Sequence, residues 1–449
     1  MQSGLRAAKG RPRNRALASR QGPPSGYMTR DVYWLAGPVQ SGPIGPRPSA
    51  GPVQYTSAMR LLYIAESVPN RDPVHGDGSS MISYEVLRNL PADIDVTLLT
   101  YSGPAGLPED VRSRCSAVHI LAPRSRNAAL VRSIGGLVGL GKQERATAEA
   151  VSTVARLSAE SDATLVHGPH ALFLARHVHG PVVLQTVDPW SIRAGMDTAI
   201  AGRLRPAYRA RERLALRAER RLPVRARLLT VGSQDALEWS QRLGRPVRSI
   251  PNGAEPARRP AARQARPVAC FVGSLNYGPN IDAAKVLVGT IAPLVWQQVP
   301  EARFVLAGRR PGPEVLALAG PRVEVLANVP SVLDVFESAN VAAFPDEHGV
   351  GIRNSVREAL AAGLPVVATP VAAREQDPHP LLTVEGDTGR FVQHVVDRLT
   401  APRPEPEMEE GQEAAGVRTW TAVAQEYVEE LRSAIRQGSA GVALGSSPA

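Results

Sequence analysis

From Met59 onward, short apolar runs alternate with longer helical stretches, and no other feature constrains the fold of this chain as much. Met59–Ala65, Asp95–Thr100, Val118–Leu121, Ala163–His167, Pro181–Val187, Leu228–Val231 and Val247–Ile250 are rich in Val, Ile and Leu. Near-continuous apolar runs of that length read as strands buried on both faces, as in parallel sheets. Met81–Leu90 and Gln143–Glu160 read as helices between them, and Ser233 is a candidate N-cap for another. The pattern then starts afresh with the strands Val268–Val272, Arg303–Ala307, Val323–Leu326, Val341–Phe344 and Pro365–Ala368. Asn280–Val299, Val332–Glu337 and Ser355–Ala362 are the helices of this second series, whose last elements end near Arg432. Strand–helix alternation of this kind predicts an α/β fold built from two βαβ halves.

The expected partition is a disordered basic tail over 1–58, a Rossmann-like domain over 59–255 and a linker over 256–267. A second Rossmann-like domain follows over 268–432, with a flexible tail over 433–449. A length of 449 residues suits two domains of ordinary size. The linker is read from its Pro, Arg and Ala content, the tails from Gly, Pro, Ser and Arg without a period. A start codon assigned too early explains the first segment as well as a functional tail does. That segment holds eight Arg or Lys against one Asp, most of the formal charge of +10. The rest is near balance, so the basic total is no argument for nucleic acid, and no nucleic-acid motif accompanies it. Two cysteines, Cys115 and Cys270, without metal-site partners favour a reducing, cytoplasmic setting. No apolar run reaches membrane-spanning length.

The chemistry concentrates in Gly349-Val-Gly-Ile-Arg-Asn-Ser-Val-Arg-Glu358 and the apolar run that follows to Thr369. Gly349 and Gly351 allow close backbone approach to a ligand. The free N–H groups of the next helix face that loop and suit a phosphate. Arg353 adds a planar cation, and Glu358 stands about one turn into the helix, where a carboxylate accepts hydrogen bonds from ribose hydroxyls. A tight loop without ligand and a helix-dipole carboxylate account for the same residues structurally.

Four segments in this order and spacing resemble the retaining, nucleotide-sugar-dependent glycosyltransferases of the GT-B fold, family 4 (glycosyl transferases group 1). They are Phe271-Val-Gly-Ser-Leu-Asn-Tyr-Gly-Pro-Asn280, Pro300-Glu-Ala-Arg-Phe-Val-Leu-Ala-Gly308, Val323–Asp334 and Gly349–Thr369. Pro251-Asn-Gly253 is similar to the family's hinge-side turn, and the resemblance covers about Met59 to Arg432. It implies two Rossmann-like domains facing across a cleft. It also implies roles. Glu358 is expected to hold the donor ribose, and Gly273 with Ser274 to pass under the donor phosphates. Asn328 and Val329 fall in the base-binding loop, and Gly349, Val350, Gly351, Ile352 and Arg353 near the donor sugar and phosphates. Gly76-Asp77-Gly78, after the first strand, resembles the loop that reaches donor phosphates and acceptor. His167 matches a histidine near the donor sugar, Glu358 and Arg353 joining it as catalytic candidates. Asp188 and Trp190 fall beside the acceptor.

The chain departs from the family pattern at three places. The first glutamate of the family's pair is absent from 348–350, and no basic residue stands over Ser274–Tyr277. Asn354-Ser355 replaces a frequent Asn-Lys, so Arg309, Arg310 or Arg353 is left to face the diphosphate.

The expected activity is retaining transfer from a UDP-, GDP- or dTDP-sugar to a hydroxyl of a small metabolite or of a lipid-linked or polysaccharide precursor. No permanently bound cofactor and no metal are expected, as no Asp-x-Asp motif occurs in the donor region. A sugar-nucleotide epimerase or hydrolase and a non-catalytic partner of the same fold are the alternatives. Arg203–Arg227, with ten Arg and two Glu, reads either as a solvated helix face or as a peripheral contact to anionic lipid.

Overall fold

Every pair of neighbouring strands in the two sheets of the described residues is parallel, so each connecting helix has to cross over a sheet face, and strand ends gather on one edge. The computed structural model describes residues 58–76, 78–122, 147–169, 171–186, 189, 191–192, 194–195, 202, 205–255, 267–349, 352–401 and 417–444. The basic tail before Ala58, the linker residues 256–266 and the last residues 445–449 lie outside them.

The first sheet has the order β3-β2-β1-β4-β5-β6-β7. Its strands are β1 (Met59–Ala65), β2 (Ile94–Tyr101), β3 (Ala117–Leu121), β4 (Ala163–His167), β5 (Val182–Gln185), β6 (Arg227–Thr230) and β7 (Val247–Ser249). Alternation along β1 divides its core: Leu61, Tyr63 and Ala65 join one buried cluster, and Leu62 and Ile64 join the cluster on the opposite face. The helices of this half are α1 (Gly78–Asn89), α2 (Glu109–Arg114), α3 (Ala148–Ala159), α4 (Arg205–Glu219) and α5 (Ser233–Leu243). Thr147 caps α3 by accepting from the Ala150 amide at 3.0 Å, which starts that helix later than the composition predicts.

The second sheet has the order β10-β9-β8-β11-β12-β13. It is built from β8 (Val268–Ser274), β9 (Arg303–Arg309), β10 (Val323–Ala327), β11 (Val341–Phe344), β12 (Val366–Ala368) and β13 (Leu382–Val384). Its helices are α6 (Gly278–Val286), α7 (Ala292–Gln298), α8 (Pro313–Leu316), α9 (Val332–Glu337), α10 (Asn354–Ala361) and α11 (Thr388–Thr400). The single helix expected over Asn280–Val299 is interrupted by a π turn, Leu287–Ile291. Pro293, which has no N–H to give, stands two residues beyond that turn, and the hydrogen-bond ladder shifts ahead of it. Strand order reverses between β8 and β11, the switch point at which such sheets open a crevice beyond their strand ends.

One boundary needs correction. The last helix, α12 (Trp420–Leu444), runs into the stretch expected to be a flexible tail. It also leaves the second half: Trp420, Val423, Tyr427 and Leu431 bury themselves in the core of the first sheet. Arg227 and Arg248 of the first half pair with Glu430 on that helix. The chain therefore crosses between halves twice, and both sheets belong to one compact unit.

Candidate active site

A cavity of about 400 Å³ lies where the C-terminal edge of the second sheet meets the first half. Arg71, Pro73, Gly78 and Met81, from the segment after β1 and the start of α1, form one wall. The ends of β8, β9 and β11 and the start of α10 form the other.

Two glycines set how close the second-half strands come. A Cβ on Gly308 would stand 1.7 Å from the Gly273 carbonyl oxygen, so only glycine allows β9 to run beside β8 there. A Cβ on Gly273 would stand 2.8 Å from Asn280 Nδ2. That amide donates to the Ser274 carbonyl at 3.0 Å, while Asn280 Oδ1 accepts from Arg353 Nη1 at 2.9 Å. Arg353 also pairs with Asp346, and its guanidinium lies 4.9 Å from the Phe271 ring and 4.8 Å from the Phe344 ring. Burial disfavours the charge on Arg353, and the neighbouring Asp346 restores part of it.

Glu358 forms part of the cavity wall, half-buried, and desolvation raises its pKa above the ordinary range. Arg71 and Arg309 oppose that shift. Burial also works against the charge on Arg71, but Glu85, Glu255 and Glu358 together raise its pKa. Arg71 Nη1 lies 3.0 Å from Glu255 Oε1, and its Nε pairs with the buried Glu85. Arg309 lines the cavity beside Ser274, its Nη2 3.4 Å from Ser274 Oγ. Asn354 and Ser355 bring the N-terminus of α10 to the wall, and the side chain of its N-cap residue, Arg353, makes no capping hydrogen bond there. The helix is anchored from behind by the turn at the end of β7. Asn252 Nδ2 donates to Asn354 Oδ1 at 3.0 Å, and Arg357 Nη1 donates to the Asn252 carbonyl at 2.6 Å.

Of the residues singled out in the sequence, Gly78, Gly273, Ser274 and Arg309 line the cavity. So do Val329, Gly349, Ile352, Arg353 and Glu358. Gly76, Asn328 and His167 are not among the lining residues. Gly76 is buried in its own loop, its amide donating to the Asp72 carbonyl at 2.9 Å. Asn328 adopts φ 55° and accepts from the Arg310 amide at 2.8 Å, which shapes the loop rather than the cavity. His167 is 1% exposed and shares a 3.2 Å hydrogen bond with the Tyr63 hydroxyl, beneath the sheet edge. Arg310, one of the expected diphosphate cations, stays off the wall. Asp77, Asp188, Trp190, Val350 and Gly351 lie outside the described residues.

Other lining residues escaped the sequence. Arg71 and Asp346 follow β1 and β11 at the strand ends, and that position was the available signal. Trp420 arrives on the helix that returns to the first half, for which no local pattern exists.

The wall thus offers cations from both halves, an uncapped helix end and carboxylates, a combination suited to an anionic ligand that also bears hydroxyl groups. Residues 266–401 match the family model of Glycosyl transferases group 1. No curated protein matches the chain in sequence. Its fold is similar to that of Anabaena HepE in complex with UDP-glucose, with 15% identity and a TM-score of 0.52 over 86% of this chain and 99% of that one. It is similar also to TarM of S. aureus, with 10% identity and a TM-score of 0.51 over 85% and 96% of the two chains. A third similar structure is the α,α-trehalose 6-phosphate synthase of Burkholderia multivorans, with 13% identity and a TM-score of 0.50 over 87% and 100%. The fold is GT-B: two Rossmann-like halves facing across a cleft.

Proposed function

We propose that the protein is a retaining glycosyltransferase that moves a sugar from a nucleotide-diphosphate donor to a hydroxyl acceptor. The observation that carries this is the position of Glu358. It shares one cavity with Arg309 of its own half and Arg71 of the other, at the helix end that follows the Gly349 loop. The match to the glycosyltransferase family model spans that same segment.

In this reading Glu358 accepts hydrogen bonds from the ribose, and Val329 flanks the base. Arg309, Arg71 and the first amides of α10 face the diphosphate. Charge accumulates on that diphosphate as the glycosidic bond breaks, so cations and amides held there in advance lower the barrier. The acceptor enters from the first half, over Gly78, and Asp77, Asp188 and Trp190 are the residues assigned to it by the family resemblance. Its hydroxyl attacks on the face the diphosphate leaves, and the departing phosphate takes the proton. Positioning of the two substrates supplies much of the acceleration.

Arg205, Arg209, Arg213 and Arg217 stand exposed at four-residue spacing along α4, and none has an ion-pair partner among the described residues. Like charges at that spacing cost helix stability, so the stripe supports contact with an anionic lipid surface that offsets the cost. No helix of the described residues is long and apolar enough to cross a membrane.

The test is a panel of UDP-, GDP- and dTDP-sugars, with nucleotide release followed alone and with candidate acceptors. Release that requires acceptor supports transfer. Release with donor alone identifies a hydrolase, an altered sugar on intact donor identifies an epimerase, and no binding of any donor points to a non-catalytic partner.

A further inference from the structure

Asp346 stands two residues past the end of β11, on the far side of β8 from Arg309, and lines the cavity. Its surroundings hold it still. Its carbonyl oxygen accepts from Thr369 Oγ1 at 2.6 Å, and its Oδ1 pairs with Arg353 Nη1. Arg353 is itself fixed by Asn280 and by the rings of Phe271 and Phe344. The Asp346 side chain is 5% exposed, that of Arg353 14%.

Each member of this pair keeps one buried polar atom without a hydrogen-bond partner among the described residues: Asp346 Oδ2 and Arg353 Nε. Buried polar groups left unpaired are costly and uncommon, and here both belong to residues on a cavity wall. The two atoms have opposite needs, one for a donor and one for an acceptor. An ionised phosphate oxygen answers only Arg353, and the carboxylate repels it. An ammonium group answers only Asp346. Hydroxyl groups both donate and accept, so a polyhydroxylated ring has the chemistry that each of the two atoms needs. The remaining cations on the wall, Arg71 and Arg309, leave the phosphates a separate place.

We infer that Asp346 Oδ2 accepts a hydrogen bond from a hydroxyl of the donor's sugar, with Arg353 as the positioning residue that fixes the carboxylate, and that this pair selects the sugar. The inference rests on the nucleotide-sugar reading of the cavity and adds its specificity determinant. Burial raises the Asp346 pKa and Arg353 opposes it, so a hydroxyl donor would further favour the charged carboxylate.

The experiment is calorimetric titration of the full chain with UDP, GDP and dTDP, then with the glucose conjugate of whichever nucleotide binds and its monodeoxy analogues. The wild-type protein is expected to bind the conjugate more tightly than the bare nucleotide and to lose about tenfold or more on removal of one particular hydroxyl. Asp346→Asn is expected to bind the conjugate about tenfold more weakly, to become indifferent to that hydroxyl, and to keep its nucleotide affinity within about twofold. Arg353→Lys keeps the charge but loses the fixed fork, and should weaken the conjugate selectively in the same way. Equal loss of nucleotide and conjugate in Asp346→Asn overturns the inference, as does wild-type indifference to every deoxy analogue. The wild-type series decides alone if the variants do not fold. Wild-type binding of nucleotide with no added contribution from the sugar sinks this inference and leaves the nucleotide reading standing, whereas binding of no nucleotide removes both.

Discussion

The Glu375 carboxylate, carried by the second half, accepts hydrogen bonds from the Ser233 amide and hydroxyl at 2.8 and 2.5 Å, at the start of α5 in the first half. It also accepts from the Gln234 amide at 2.7 Å. One half of the molecule thus caps a helix of the other, and Glu375 adopts φ 64° to do so. Its own carbonyl lies 3.4 Å from Arg357 Nη2, next to Glu358 in sequence. The contact therefore ties the relative position of the halves to the helix that carries the cavity carboxylate.

Burial works against the charge on Glu375, but the Ser233 and Gln234 hydrogen bonds outweigh it and hold its pKa below the ordinary value. A depressed carboxyl contributes stability that is complete above its unfolded pKa and fades as pH falls through the folded one. Glu375→Gln should therefore lower stability by about 1 kcal/mol near neutral pH. The deficit should shrink as the pH drops through and below the carboxylate range. Melting curves of the two proteins from pH 7 down to pH 3 check this, and a deficit independent of pH contradicts it.

Glu358 has the opposite sign. Burial raises its pKa, so its ionised form is costly in the folded protein, and stability falls as pH rises through the window between its unfolded and folded values. Glu358→Gln should melt higher than wild type above that window and level with it below. The same substitution should weaken donor binding by about 1.5–3 kcal/mol, the range for a lost hydrogen bond to a charged group. Melting and titration on the same samples test both halves of this trade-off. A variant that is no more stable and binds donor as well as wild type removes Glu358 from the site.

The two halves of the chain were unequally legible. The strands and their alternation could be read because each apolar run is bounded by turn residues, and the Gly349–Glu358 segment because loop, helix end and carboxylate are contiguous. Arg71 had only its place after a strand end to mark it, and Trp420 could not be placed at all, because it meets the cavity only through the return of the chain to the first half. Arg353 shows the other limit. Its position was legible, yet its engagement with Asp346, Phe344 and the distant Phe271 is set by the turn after β11 and the packing of β8, which no local pattern shows. His167 ends a strand as expected, but its side chain is buried and hydrogen-bonded to Tyr63.

Gly308 offers a test of backbone approach. Gly308→Ala places a methyl against the Gly273 carbonyl, where neither strand can give way easily. The variant should be destabilised by several kcal/mol, as for overpacking at a special backbone position. It should also lose nucleotide binding even where it still folds. An unchanged denaturant midpoint contradicts the geometry.

The exposed arginines of α4 predict an ionic-strength-dependent affinity for anionic vesicles. Sedimentation with phosphatidylglycerol vesicles should fall as salt rises and should be lost in a variant with Arg205, Arg209 and Arg213 all changed to Glu. Phosphatidylcholine vesicles should not bind at all. Equal sedimentation by both lipids, or by wild type and variant, rejects the contact.

The central claim is that the cavity holds a nucleotide diphosphate between cations from both halves. The most direct measurement is titration of UDP, GDP and dTDP into the wild-type chain, Arg309→Ala and Arg71→Ala, each beside the matching monophosphate. At least one diphosphate should bind wild type more tightly than its monophosphate, and each substitution should erase most of that difference, by about tenfold or more for a lost charged contact. A wild-type chain that binds no diphosphate, or variants that keep the full preference, would contradict the account.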